Sequence, residues 1–351
     1  MPKTLKVATL EGEYNDRNVQ KGCHLTRRRI QIMTASNTCR TTAARSRIAA
    51  VGAIAVAGSL MLTACGDQTN SGTSASGGTK ESSAALFDKL PKKYQDAGVI
   101  KVGTDAAYAP MEYEEGGKIV GIDPDIAAAL GTQLGVKFQF TSGTFDGLIS
   151  SLNTGRQDIV MSAMSDTKDR QQGLDDKGKK VGQGVDFVDY FTSGVSLLVK
   201  KGNPDSIKSL DDLCGKKVAV QRGTTYEKTF KTQATKCSKD GKGTLSIEAF
   251  DTDAEAQTRV KSGGAVADLN DYPVAAHIAK TAGGGKDFEV TGDQTEAGPF
   301  GIAVDKDNAQ LRDALKEALN AIIKNGEYAK VLEKWDVKNS AVTEATINAG
   351  K

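Results

Sequence analysis

From about residue 98 onward, short apolar runs alternate with segments whose apolar residues recur every three or four positions. The runs predict buried strands and the spaced segments predict amphipathic helices, so this part of the chain reads as α/β. Val99-Ile100-Lys101-Val102-Gly103 is a strand and Phe138-Gln139-Phe140 another. Between them Asp123-Pro124-Asp125 opens a helix: Asp123 caps it, Pro124 suits the first helical position, and Asp125 sits near the positive dipole end. Ile126, Leu130 and Leu134 share one face of that helix, and Gly135 ends it. Phe145 through Asn153 is helical, and Asp158-Ile159-Val160-Met161-Ser162 is a buried strand emptying into a Ser-rich loop. The order is that of βαβ units with a largely parallel sheet.

The pattern restarts after Lys200-Lys201-Gly202-Asn203-Pro204. Ser209-Leu210-Asp211-Asp212 is a variant of the capping box, and Lys217-Val218-Ala219-Val220-Gln221 is a strand. A helix from Tyr226, strand 245–250, helix 253–262, strand 265–269 and helix 273–281 follow. Phe300-Gly301-Ile302-Ala303-Val304 is a further strand, and Leu311, Leu315, Leu319 and Ile322 mark the buried face of the next helix. A short helix from Glu327 to Trp335 closes the series. Joints at Thr192-Ser193-Gly194 and Thr295-Glu296-Ala297-Gly298 make the second block an insertion in the first. Two lobes joined by two short crossing segments form a hinge, with a cleft where strand C-termini meet.

Ahead of this part, Ile48 through Ala64 is continuously apolar but shorter than the roughly 20 residues a membrane-spanning helix needs. Arg40, Arg45 and Arg47 precede it and Leu62-Thr63-Ala64-Cys65-Gly66 closes it, the layout of a secretory signal. The Leu-x-Ala-Cys ending resembles the lipobox of bacterial lipoproteins, which implies a lipidated Cys65 as mature N-terminus. Met33 would give an n-region of ordinary length, so the expected start is Met33. The polar residues after Cys65 read as a flexible tether. Cys23 and Cys39 leave with the leader, so Cys214 and Cys237 remain. An exported compartment would oxidise such a pair, and two free thiols in small apolar niches are the alternative. The expected layout is a leader over 1–64, a lipidated tether over 65–97, a first lobe from 98–192 with 299–345, and a second lobe over 195–296.

Composition narrows the partners. The 351 residues are 38% hydrophobic and 26% charged, as in globular proteins. Of 46 Lys/Arg, ten stand in residues 1–64, and of 44 Asp/Glu, three, which leaves 36 bases against 41 acids downstream. A net-acidic body without a basic cluster argues against a nucleic-acid partner. Two histidines, His24 and His277, exclude a multi-histidine metal site, and no cofactor is expected.

Three stretches carry a resemblance. Gly103-Thr104-Asp105-Ala106-Ala107-Tyr108-Ala109-Pro110-Met111-Glu112 with Gly121-Ile122-Asp123-Pro124-Asp125 resembles the opening of family 3 solute-binding proteins, the polar amino-acid receptors of ABC importers. Ser162-Ala163-Met164-Ser165-Asp166-Thr167-Lys168-Asp169-Arg170 resembles their Ser-rich loop, and Gln221-Arg222-Gly223-Thr224-Thr225 with Asn270-Asp271 resembles their second-lobe contacts. The likeness covers about 98–336 and implies a type II periplasmic-binding-protein fold. It further implies that Arg170 forks onto a ligand α-carboxylate, Asp271 pairs with the α-ammonium, and Ser162 and Ser165 serve either charge. Thr225 lies in a strand-to-helix turn suited to an anionic group, and Tyr108 and Phe145 resemble aromatic walls around the ligand side chain. Departures are the hydrophilic insertion over 171–184, Ala163 where several members have Ser, and Val266 in place of an Asp.

The resemblance implies a monomeric, membrane-tethered receptor that passes a polar L-amino acid to ABC permease subunits, held at the outer face of the cell membrane by its lipid alone. Asp105, Glu112 and Asp123 put three acids near the side-chain end of the cleft, which favours cationic or amide ligands over glutamate or aspartate. If Asp123 merely caps its helix and Glu112 faces water, Asp105 alone bears on the ligand. The rivals are an enzyme on the same fold, similar to cyclohexadienyl dehydratases, with Glu112 or Asp105 as acid or base, and a receptor feeding a sensor kinase.

Overall fold

The computed structural model describes residues 84–294 and 297–351. The leader, Cys65, most of the expected tether and the joint residues Thr295 and Glu296 lie outside the described residues.

The first lobe is built on a six-stranded sheet. Val99–Thr104 lies parallel to Lys137–Ser142 on one side and Ile159–Val160 on the other. Gly298–Asp305 then runs antiparallel between Ile159–Val160 and Val185–Ser193. The sheet is therefore mixed: parallel pairing holds only for the βαβ portion, and the chain returning from the second lobe enters against it. The helix Ala309–Lys324 buries Leu311, Leu315, Leu319 and Ile322, the face its spacing predicts.

The second lobe holds two small sheets. Ser246–Phe250 pairs parallel with Lys217–Gln221, and Val195–Lys200 is the centre of an antiparallel trio between Ala267–Asp271 and Phe288–Thr291. Strands 195–200 and 288–291 were not foreseen. Leu197, Leu198 and Val199 are all buried, so that strand has no alternation to betray it. Ser209 and Asp212 do form the capping box, on the short 3₁₀ turn Leu210–Leu213.

The lobes meet where Ser193 pairs with Gly298, so the two crossing segments lie side by side. The Val185–Ser193 strand passes through Gly194 directly into Val195–Lys200.

Three expectations need correction. Residues 86–97 are not tether: a 3₁₀ turn at Phe87–Lys89 leads into the helix Lys92–Ala97, and Leu90 and Tyr94 are buried in the core. At the other end the lobe runs past 345, because Thr346–Ile347 pairs with Asp189 and Val188. Asp123 does not cap its helix, which spans Ile122–Leu134 with Gly121 at its start. Gly121 has φ +137° and sits so close to Met111 that a Cβ would lie 2.3 Å from its carbonyl oxygen. Gly135 ends the helix in the left-handed conformation, as foreseen.

Cys214 and Cys237 are bonded, with Cα atoms 5.4 Å apart, tying the 3₁₀ turn to the helix Thr225–Lys239. A bridge across a sequence separation of 23 restricts the unfolded chain by about 3 kcal/mol on loop entropy. The double variant Cys214→Ser, Cys237→Ser should lose stability of that order in urea unfolding. Unchanged stability, with two alkylatable thiols in the exported wild-type protein, would overturn the bridge.

Candidate functional site

The site lies where strand ends of the two lobes face each other. In the first lobe, Val99–Thr104 delivers Asp105 and the hairpin that starts at Ala107–Tyr108, while Ile159–Val160 empties into the Ser162–Arg170 loop. In the second, Lys217–Gln221 ends at the Gly223-Thr224-Thr225 turn, and Ala267–Asp271 ends at Asp271. All eight residues expected to touch ligand (Asp105, Tyr108, Phe145, Ser162, Ser165, Arg170, Thr225 and Asp271) line one narrow cavity. Gln221 and Tyr226 line it too. A larger cavity of about 700 Å³ shares Ser165, Thr225, Tyr226 and Asp271 and continues toward the crossing segments at Ser193 and Gly298.

The lobes are closed on one another through polar contacts. Tyr108 donates its hydroxyl to Asp271 Oδ2 at 2.8 Å, and Gln221 Nε2 donates to Asp105 Oδ2 at 2.5 Å. Arg170 Nη1 donates to the Ser165 carbonyl at 2.8 Å, and Nη2 reaches the Gly223 carbonyl across the cleft at 3.2 Å. Its guanidinium also lies over the Phe145 ring, 5.3 Å from the centroid. Asp271 stands at the start of the helix Tyr272–Thr281 but makes no side-chain capping bond there; its carboxylate belongs to the cleft. At the Thr225 helix the Gly223 amide is taken by Glu227 and the Glu227 amide by Thr224, which leaves Thr225 and Tyr226 of the first turn lining the cavity.

From the first-lobe wall a chain of polar groups runs inward. Ser162 Oγ accepts from the Asp105 amide at 2.9 Å and donates to Glu112 Oε1 at 2.8 Å. Its single proton points inward, so toward the cavity it can offer only a lone pair. Glu112 and Asp123 are both fully buried and in contact. Burial pushes Glu112 well above the carboxylate range and Asp123 up to about 6, and two such carboxyls hold a proton between them. Tyr190 donates to Asp123 Oδ1 at 2.6 Å and the Ala163 amide to Oδ2 at 3.0 Å. That anchorage holds Ala163 at φ +44°, a left-handed conformation that shapes the Ser-rich loop. The expected group of three acids at the ligand is thus corrected: Asp123 does not line the cavity, Glu112 lines it with Oε1 taken by Ser162, and Asp105 alone of the three bonds the second lobe, through Gln221.

The pattern of the bacterial extracellular solute-binding proteins, family 3, matches residues 100–338. The chain belongs to that family. Among its relatives, the ABC transporter glutamine-binding protein GlnH of Bacillus subtilis (strain 168) is 30% identical over 281 residues, 79% of this chain and 92% of the relative. A solved ancestral arginine-binding protein bound to arginine is 38% identical with a TM-score of 0.60, covering 68% of this chain and 98% of its own. A solved ancestral amino-acid-binding protein, a precursor of cyclohexadienyl dehydratase, is 39% identical with a TM-score of 0.59, covering 69% and 97%.

In this solute-binding protein Gln221 and Tyr226 complete the cleft wall beside the eight expected residues. In the sequence Gln221 ends a strand and opens the stretch that resembles the second-lobe contacts, and Tyr226 starts a helix; what brings both side chains to the cavity is closure of the lobes, which no spacing in the sequence records. Burial raises Asp105 to about 6 and Asp271 to about 7, the latter against the lowering effect of bonds from Tyr226, Tyr108 and Ser193. Burial lowers Arg170 to about 10, so it remains a cation at neutral pH.

The raised Asp271 pKa has a measurable consequence. Its folded carboxyl keeps its proton to about pH 7, whereas an unfolded one releases it near 4. The associated stability is complete below about pH 4 and is lost as pH rises through about 7. Ligand-free Asp271→Asn should match wild type at pH 4 and exceed it at pH 8, by up to about 4 kcal/mol for three pKa units. Identical denaturation curves at pH 8 would contradict this reading of the buried carboxyl.

Proposed function

We propose that this solute-binding protein captures a polar L-amino acid, cationic or amide in its side chain, by closing its lobes on it, and presents it to an ABC permease. The observation that carries the reading is a pair of opposite charges on opposite lobes, Arg170 and Asp271, lining the same buried cavity. An α-amino acid carries one group for each. The guanidinium fork suits the α-carboxylate and Asp271 suits the α-ammonium, so a bound amino acid ties one lobe to the other. Asp105, between Tyr108 and Phe145 on the first-lobe wall, is then the group for the far end of the ligand. A cationic side chain offsets its charge and an amide can bond it, whereas a carboxylate meets repulsion.

The relatives agree in class. One binds glutamine and one ancestral protein is bound to arginine. The dehydratase reading has less to stand on: Glu112, although it lines the cavity, is engaged with Ser162 and Asp123, and Asp105 is held by Gln221. The basic and apolar stretches before Cys65 support attachment to the outer face of the membrane through a lipid on that cysteine.

A thermal-shift panel of the common L-amino acids tests the ligand class. A ligand at about 1,000 times its dissociation constant should add roughly 4 kcal/mol to stability. Arginine, lysine, histidine or glutamine should give the largest shifts; a response confined to glutamate and aspartate would sink the charge argument. Arg170→Ala and Asp271→Ala should each weaken binding of the responding amino acid by more than tenfold, since each strands a buried ligand charge. For the anchor, Cys65→Ser should release the protein from membranes, and unchanged membrane association would refute lipidation.

A further inference from the structure

The segment after Ala345 is held against the loop that carries Arg170 by a set of bonds that neither the fold nor the ligand reading requires. Thr346–Ile347 adds a short strand to Val185–Ser193. Asn348 then locks its side chain to that strand, accepting from the Phe187 amide at 2.8 Å and donating to Asp186 at 2.9 Å. The next two amides turn onto buried carboxylates: Ala349 N donates to Asp189 Oδ2 at 3.1 Å and Gly350 N to Asp166 Oδ2 at 2.7 Å. The other oxygen of Asp166 accepts from Gln171 Nε2 at 2.7 Å, and that same nitrogen reaches the Gly350 carbonyl at 3.5 Å. Finally the Lys168 amide donates to the Lys351 carbonyl at 3.2 Å.

Arg170 stands in the middle of these anchors, in a five-residue helix spanning Lys168–Gln172. Asp166 precedes that helix, Lys168 begins it, Gln171 follows Arg170, and all three bond the 350–351 segment. So short a helix has little stability of its own. Asp166 and Asp189 are buried and interact, so the amides of Ala349 and Gly350 add to the donors that compensate them, Gln171 Nε2 at Asp166 and the Thr346 hydroxyl at Asp189. Gly350 fits closely: a Cβ there would lie 2.0 Å from the Asp166 carbonyl oxygen.

We propose that residues 348–351 act as a strap that positions Arg170 for the ligand carboxylate, with Gly350, Asp166 and Gln171 as positioning residues. The proposal rests on Arg170 being the carboxylate anchor. Without the strap the Lys168–Gln172 turn loses the bonds that the Lys168 amide and Gln171 make to the 350–351 segment, and the guanidinium loses its fixed origin. Because binding uses a fork of two parallel bonds, a small displacement at its root costs affinity.

The test is a double-mutant cycle on the full exported chain, titrated by calorimetry with L-arginine and in parallel with L-glutamine. Gly350→Val forces the strap off Asp166, and Gln171→Ala removes the link from the other side while leaving the strap's own sequence intact. Each should weaken binding of the responding probe at least tenfold in the wild-type background. In an Arg170→Ala background, read at millimolar ligand, each should change affinity less than twofold, because there is no guanidinium left to position. A purely structural role would give the same factor in both backgrounds. Equal factors, or strap variants that bind like wild type, overturn the strap and leave the site intact. Arg170→Ala binding as tightly as wild type, or a wild-type chain that binds neither probe, overturns the reading of the site and the strap with it.

Discussion

An ion taken out of water is held only where an opposite charge or well-aimed donors replace its hydration. The cleft is organised around that constraint. Arg170 is supplied by one lobe and Asp271 by the other, and both line a cavity from which the closed lobes exclude most water. Arg170 and Asp271, the pair proposed for the two ends of the amino-acid backbone, come from different lobes. In the proposed reading closure is therefore part of recognition: half a site binds half a zwitterion, and the second half is reached only when the lobes meet. The strand Val185–Ser193 and its continuation into Val195–Lys200 make that geometry possible, since one uninterrupted passage of chain carries the sheet of one lobe into that of the other.

The same constraint explains the layer behind the wall. Asp105 cannot keep its position unless the loop around it is fixed, and Ser162 fixes it by accepting the Asp105 amide. Ser162 in turn is oriented by Glu112, and Glu112 is buried only because it shares a proton with Asp123. Asp123 holds the Ala163 amide in a conformation that a residue with a Cβ adopts reluctantly. Asp105 and Asp271, by contrast, line the cavity and are bonded across it, by Gln221 and by Tyr108. Those two are raised by burial and destabilise the ligand-free fold as they ionise, a cost that a bound cationic group removes.

What could be read from the sequence follows from which forces leave a local pattern. The Leu311–Ile322 face and the Gly135 stop were legible because helix packing repeats every three or four residues and a left-handed stop favours glycine. Arg170 and Asp271 were legible as strand-end residues within motifs of a known family. Val195–Lys200 was not, because a strand buried on both faces has no alternation. Gln221 and Tyr226 take their roles from a lobe that approaches through space. Glu112 and Asp123 were seen as acids, but their shared proton depends on burial that spacing does not reveal. The 346–351 segment carries almost no apolar signal, since backbone amides bonded to distant acids hold it.

The rim contacts occupy a different place in this scheme. Lys228 pairs with Asp169 and Lys231 with Asp176, at 2.7 Å for the second, joining the second-lobe helix to the first lobe and its inserted 171–184 loop. These side chains are roughly one-third to one-half exposed, and ion pairs of that kind contribute between about 0 and 1 kcal/mol each. Moving a hinge from mostly open to mostly closed takes about 5.5 kcal/mol of differential affinity. Two such pairs fall short of that, so the rim can bias the hinge and align the lobes without closing them unaided. A buried ligand charge meeting its partner on the far lobe supplies energy on the required scale, because leaving that charge unpaired costs about 3–5 kcal/mol. The insertion therefore adds one weak contact across the rim, while in the proposed reading the decision between open and closed rests with the charges that the ligand brings into the cleft.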